Sequence, residues 1–198
     1  MRGRTHGHLQ TTEKEERFGI HWRSEFMADL TTTLGAMAAE YVFYGENGNG
    51  VGGDLQSVTS LAAMMVGASG MGPEPFALNG SFADESPEQT HERIEKRFEK
   101  IGLQIMNRTA SGGGMAANPI GAVLGDHNKR ANAAQILGQA FVRAYNTIEA
   151  NKTGVEHITS VLLDKREMYG DEVVNLLDES NLKVPAYDLL DEKTWPTL

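Results

Sequence analysis

The chain has 198 residues, 40% of them hydrophobic and 23% charged, values ordinary for one soluble globular domain, alone or with an appendage. Lys and Arg number 18 against 27 Asp and Glu, and the formal net charge of −9 speaks against a nucleic-acid-binding face. The absence of cysteine excludes disulfides, thiol catalysis and cysteine-ligated metal, and no apolar run approaches the roughly 20 residues that span a bilayer. With no signal-peptide pattern at its start, the chain is expected to be soluble and cytoplasmic.

In chain order, Thr5–Leu9 reads as a short strand, followed by a charged turn over residues 12–17. Ser24 is placed to cap a helix whose apolar residues Phe26, Met27, Leu30, Leu34, Met37, Ala38, Tyr41 and Val42 recur at steps of three and four up to Tyr44. Residues 45–53 are too rich in glycine and polar side chains for helix or strand. A second helix is expected at or just after Asp54, with Leu55, Val58, Leu61, Ala62, Met65 and Val66 on one face, stopped by the glycines of residues 67–72 and Pro73. The third runs from Pro87 to Met106 and buries Ile94, Phe98, Ile101 and Ile105.

Residues 110–125 read as a long loop. Beyond it, Lys129–Asn151 carries the stripe Ile136, Leu137, Ala140, Phe141, Ala144, Tyr145 and Ile148. Thr153 and Glu156 have capping-box spacing ahead of a short helix with Ile158, Val161 and Leu162, and a last short helix covers residues 171–177. The tail from Asn181 to Leu198 lies against the domain or frays. The fold class is mainly α, with a short N-terminal strand and a glycine-rich loop.

Three patterns imitate motifs without completing them. The glycines of residues 67–72 and 111–114 lack the lysine–serine/threonine pair of a phosphate loop. His91-Glu92-Arg93-Ile94-Glu95 opens like H-E-x-x-H, but its fifth residue is glutamate, so the pattern supplies i,i+4 charge pairs on a solvated helix. His6 and His8 share a strand face and form at most a pair of metal ligands, and a three-ligand site with Asp54 is an open alternative. No G-x-S-x-G elbow marks a nucleophile.

One stretch is more specific. Leu34-Gly35-Ala36-Met37-Ala38-Ala39-Glu40-Tyr41-Val42-Phe43-Tyr44-Gly45-Glu46, followed by Gly50-Val51-Gly52-Gly53-Asp54-Leu55-Gln56, resembles the peptidase domain of FtsH-type ATP-dependent zinc metalloproteases. The resemblance takes in Arg2-Gly3, residues 7–10 and Glu15-Glu16-Arg17 upstream. Downstream it takes in residues 62–66, Gly70-Met71, Ala144-Tyr145, residues 153–164 and Gly170-Asp171-Glu172-Val173, about two-thirds of the chain in all. Residues 1–180 are then an incomplete helical peptidase domain with a divergent insertion at about 73–130, and residues 181–198 are a C-terminal tail.

The family's H-E-x-x-H helix, its AAA+ module and its membrane anchor have no counterpart in these residues, and Met37, Tyr41 and Gly52-Gly53 replace a common arginine, glutamate and serine–asparagine. The resemblance implies the C-terminal part of a longer protease that acts on unfolded or membrane-extracted polypeptide. Its partners would be five further copies in a hexamer, with ATP bound at a separate AAA+ module and the parent membrane-anchored, facing the cytoplasm. It implies zinc, with Asp54 as third ligand beside two histidines of H-E-x-x-H, and the chain alone would be inactive. A glycine-rich loop suits a close backbone approach to a metal, although an aspartate at a helix start is also an ordinary N-cap. Glu40 would orient a metal-bound histidine, and Thr5, Gly7 and Leu9 would lie on an edge strand that pairs with extended substrate. The alternative is a non-catalytic oligomerisation or scaffold module derived from such a peptidase.

Overall fold

The computed structural model describes residues 20–75, 85–108, 119–186 and 191–196, and the strand expected over Thr5–Leu9 lies outside them. The described residues form eight α-helices and no strand: α1 Arg23–Thr33, α2 Gly35–Tyr44, α3 Gly52–Gly67, α4 Pro87–Arg108, α5 Pro119–Gly125, α6 His127–Ala150, α7 Lys152–Lys165 and α8 Asp171–Glu179. A 3-10 turn at Glu192–Thr194 follows. The class is mainly α, as the periodicity predicts.

Helix α6 is the axis on which α1, α2, α3 and α4 all pack. Its residues Ala133, Ala134, Ile136, Leu137, Ala140, Phe141, Val142 and Ala144 are all buried, because the apolar stripe is wide enough to meet several neighbours at once. Helix α4 runs antiparallel to it: Gly138 lies on the backbone of Phe98, and Gly102 on that of Ala134. A Cβ at Gly102 would stand 1.8 Å from the Ala134 carbonyl oxygen, so the missing side chains are what let the two backbones approach.

The single helix expected over residues 24–44 is two helices, parted at Leu34. The Thr31 and Thr33 hydroxyls donate to the carbonyls of Met27 and Asp29, at 2.7 and 2.9 Å, a bond that bends helices, and Gly35 follows directly. The bend brings Met27 and Leu30 of α1, Leu34 at the junction, and Met37 and Ala38 of α2 into one core. Trp22, not Ser24, stands at the N-cap of α1, and its N–H donates to the Glu25 carboxylate at 2.7 Å.

Part of the expected loop over residues 110–125 is helix α5. Pro119 opens it, and Val123 is buried against Gly67 at the end of α3. Asp126 caps α6 by accepting from the Lys129 N–H at 3.0 Å, two residues ahead of the expected start. Thr153 makes no cap for α7. Asn151 joins α6 to α7 instead, and its side-chain amide exchanges two hydrogen bonds with the backbone of Lys183, at 2.8 and 2.6 Å. Only Gly154 of α7 is buried, and Leu162, expected inside, is exposed.

Two long-range polar contacts fasten irregular segments to the helices. Gln139, fully buried on α6, donates to the Glu74 carbonyl at 2.9 Å and accepts from its N–H at 2.8 Å, as a neighbouring strand would. Arg143, one turn on, pairs with the Glu74 carboxylate. At the C-terminus Glu192 accepts from both Arg93 and Arg97 of α4. Trp195 is buried on Phe98, 4.3 Å between ring centroids, with the Arg97 guanidinium 4.8 Å from its ring.

Candidate metal-ligand site

The segment that joins α2 to α3 is fixed at both ends and in the middle. Helix α2 ends on Gly45, whose φ of +75° is open to glycine at little cost and whose N–H donates to the Tyr41 carbonyl at 3.0 Å. Glu40, on the last turn of α2, accepts the Gly48 N–H at 2.8 Å. Val51 is buried at the N-cap position of α3, and its carbonyl receives the Leu55 N–H at 3.0 Å.

This geometry starts α3 at Gly52, so Asp54 sits inside the first turn and not ahead of it. The capping reading of Asp54 is thereby corrected: α3 has no side-chain cap. The two glycines that read as loop are helical because burial of Val51 and Leu55 on either side holds the turn. Asp54 itself is exposed, and no described side chain pairs with its carboxylate. The first-turn N–H groups favour negative charge there.

Hydrolytic zinc takes three protein ligands and keeps a fourth position open. Among the described residues no three histidine, aspartate or glutamate side chains converge into a metal site. His91 and Glu95 share a hydrogen bond of 3.0 Å and Lys96 pairs with Glu92 at 2.5 Å, both at the i,i+4 spacing expected of α4. His21 packs on Phe26, and His6, His8, Thr5, Gly7 and Leu9 lie outside the described residues. The described part of the chain thus fits one ligand of a zinc centre, the exposed carboxylate of Asp54, and not the centre as a whole.

Glu40 accepts from the loop backbone, a role the sequence does not announce. The one available signal is a carboxylate on the turn before a glycine-rich loop, whose N–H groups need acceptors. Met37 and Tyr41, two of the departures from the family pattern, serve the core. Met37 is buried, and Tyr41 meets Phe141 edge-on, 6.0 Å between centroids at 79°.

The sequence model of peptidase family M41 fits residues 1–104, and the chain belongs to that family. Curated relatives extend the similarity over most of the chain. The ATP-dependent zinc metalloprotease FtsH of Trieres chinensis is 32% identical over 185 residues, covering 92% of this chain and 24% of the relative. FtsH 1 of Rhodopirellula baltica is 27% identical over 180 residues, 90% of this chain and 23% of the relative. FtsH 2 of Symbiobacterium thermophilum is 41% identical over a shorter stretch of 71 residues, 36% of this chain and 12% of the relative. The chain spans about a quarter of the length of the first two. No solved structure matches.

Proposed function

We propose that the chain is the C-terminal part of the peptidase domain of an ATP-dependent zinc metalloendopeptidase, and that Asp54 is its third zinc ligand. The carrying observation is the exposed carboxylate in the first turn of α3, unpaired among the described residues, at the end of a braced glycine-rich loop, in a member of peptidase family M41. Zinc, when bound, supplies an activated water for peptide hydrolysis. The part of Asp54 is to offer one hard oxygen ligand from a rigid helix start. The histidine ligands and the general base belong to an H-E-x-x-H helix ahead of residue 1, and ATP to a separate module. The names of the relatives, ATP-dependent zinc metalloproteases, support the parts given to zinc, ATP and proteolysis. Substrates are unfolded or membrane-extracted polypeptides, the parent is a membrane-anchored hexamer, and residues 5–9 pair with extended substrate.

The test is hydrolysis of casein. The 198-residue chain alone is expected to be inert. The product expressed with the codons ahead of residue 1 is expected to cleave, to stop with chelator, and to stop with Asp54→Ala. Chelator-sensitive cleavage by the 198 residues alone would contradict the proposal.

A second reading, a scaffold module that has lost the zinc site, is favoured by Met37, Tyr41 and Gly53, which replace polar residues common in the family, the first two with core contacts. It predicts no H-E-x-x-H in the upstream codons and no zinc in any form of the protein.

A further inference from the structure

Helix α3 begins without the device that usually holds a helix start. Val51 occupies the N-cap position, where a serine, threonine, aspartate or asparagine side chain would bind a first-turn N–H. The seven residues before Gly52 include Gly45, Gly48 and Gly50, a composition that leaves the backbone many conformations. Uncapped helix ends fray, and Asp54 lies in the turn that would do so. The compensating contact comes from the preceding helix. The Glu40 carboxylate takes the Gly48 N–H at 2.8 Å through one oxygen, a bond strengthened by its charge. Its other oxygen flanks the same glycine, 3.7 Å from where a Cβ would stand. Gly48 is then followed by a short span already tied to the helix: the Asn49 carbonyl accepts the Gly52 N–H at 3.4 Å, and Val51 is buried.

We propose that Glu40 is a positioning residue. It clamps the glycine loop at Gly48, and the clamped loop does the work of the missing cap by holding the first turn of α3, and so Asp54, in place. The role differs from orienting a histidine, since the partner is the chain's own backbone. It rests on the reading of Asp54 as a metal ligand.

Two measurements test it. The first is amide hydrogen exchange on the 198-residue chain, which needs no metal. Glu40→Ala is expected to speed exchange at Gly48 and at Leu55, the first intrahelical donor of α3, by about tenfold or more, with the Leu137 and Phe141 amides of α6 unchanged. Glu40→Gln keeps a carbonyl acceptor of the same reach and is expected to stay within about threefold of wild type. Unchanged exchange in Glu40→Ala, or equal opening in both variants, overturns the clamp.

The second is competitive zinc titration of the product that includes the upstream codons. Here Glu40→Ala is expected to weaken zinc about tenfold while Glu40→Gln holds it, in the range seen when groups behind metal ligands are removed. Full zinc affinity in Glu40→Ala, where Asp54→Ala releases the metal, overturns the positioning role. Zinc binding unaffected by Asp54→Ala overturns the ligand reading instead, whatever the exchange data show.

Discussion

A methyl group at Gly102 or Gly138 probes the seam that organises the domain. At Gly102 the new Cβ would stand 1.8, 2.4 and 2.6 Å from the carbonyl oxygen, carbonyl carbon and Cα of Ala134; at Gly138 it would stand 2.2 Å from the Phe98 oxygen. These are backbone atoms inside helices, so no change of rotamer relieves the clash and α4 must move away from α6. Both helices lose dispersion contacts over buried residues such as Ile94, Phe98, Ile101, Leu137 and Phe141 when they part.

Overpacking of this kind costs about 3 kcal/mol, and the better helix propensity of alanine returns about 1 kcal/mol. Each variant is therefore expected to lose about 2 kcal/mol, or roughly 4–8 °C in Tm for a chain of this size. The double variant should lose less than twice that, because one displacement accommodates both methyls. Gly35→Ala is the control: nothing lies within 4 Å of its Cβ position, and it should be neutral or slightly stabilising. Urea and thermal unfolding followed by far-ultraviolet circular dichroism supply the numbers. Gly102→Ala as stable as Gly35→Ala would refute the close-approach argument.

The other contacts make separate predictions. Gln139→Leu leaves the Glu74 N–H and carbonyl without their partner, and should cost about 2 kcal/mol in urea unfolding. Amide exchange should rise around residue 74 in the same variant. For Glu192, burial raises the pKa, but the hydrogen bonds and charges of Arg93 and Arg97 outweigh it and hold the carboxyl below its ordinary value. Its folded-state pKa being the lower one, this contribution to docking of the C-terminal turn is present above the ordinary glutamate range and lost as pH falls through the folded value. In a Trp22→Phe background, which leaves Trp195 as the one tryptophan, fluorescence should report that acid release, and Glu192→Gln should weaken docking at neutral pH. Asp54→Ala, at an exposed position with no described partner, should shift Tm by no more than about 2 °C.

The helices were legible where a broad apolar stripe faces the core. On α4, Ile94, Phe98, Ile101 and Ile105 are all buried as their spacing implies, and on α3 so are Leu55, Val58, Ala62 and Met65. The bend at Leu34 was not legible, because periodicity reports which face is apolar and is blind to a change of axis that keeps the face inward. Helix α5 has seven residues, too few for a periodic signal, and the burial of Val123 on Gly67 is a tertiary fact. The same holds for Gln139 on Glu74, 65 residues apart.

At the candidate site, the family resemblance singles out Asp54, but composition misplaces the helix start. Gly52 and Gly53 read as loop until Val51 is known to be buried. Glu40 was legible as a carboxylate near the loop, and its partner, a backbone N–H, carries no sequence signature.

The most direct test of the central claim is the zinc content of the gene product expressed with the codons ahead of residue 1. Wild type and Asp54→Ala would be compared at equal fold by circular dichroism and equal protein concentration, after dialysis against a weak chelator. The account predicts one zinc per chain in wild type and its loss in Asp54→Ala without a change in helicity. Equal zinc in both, or none in wild type, would contradict it.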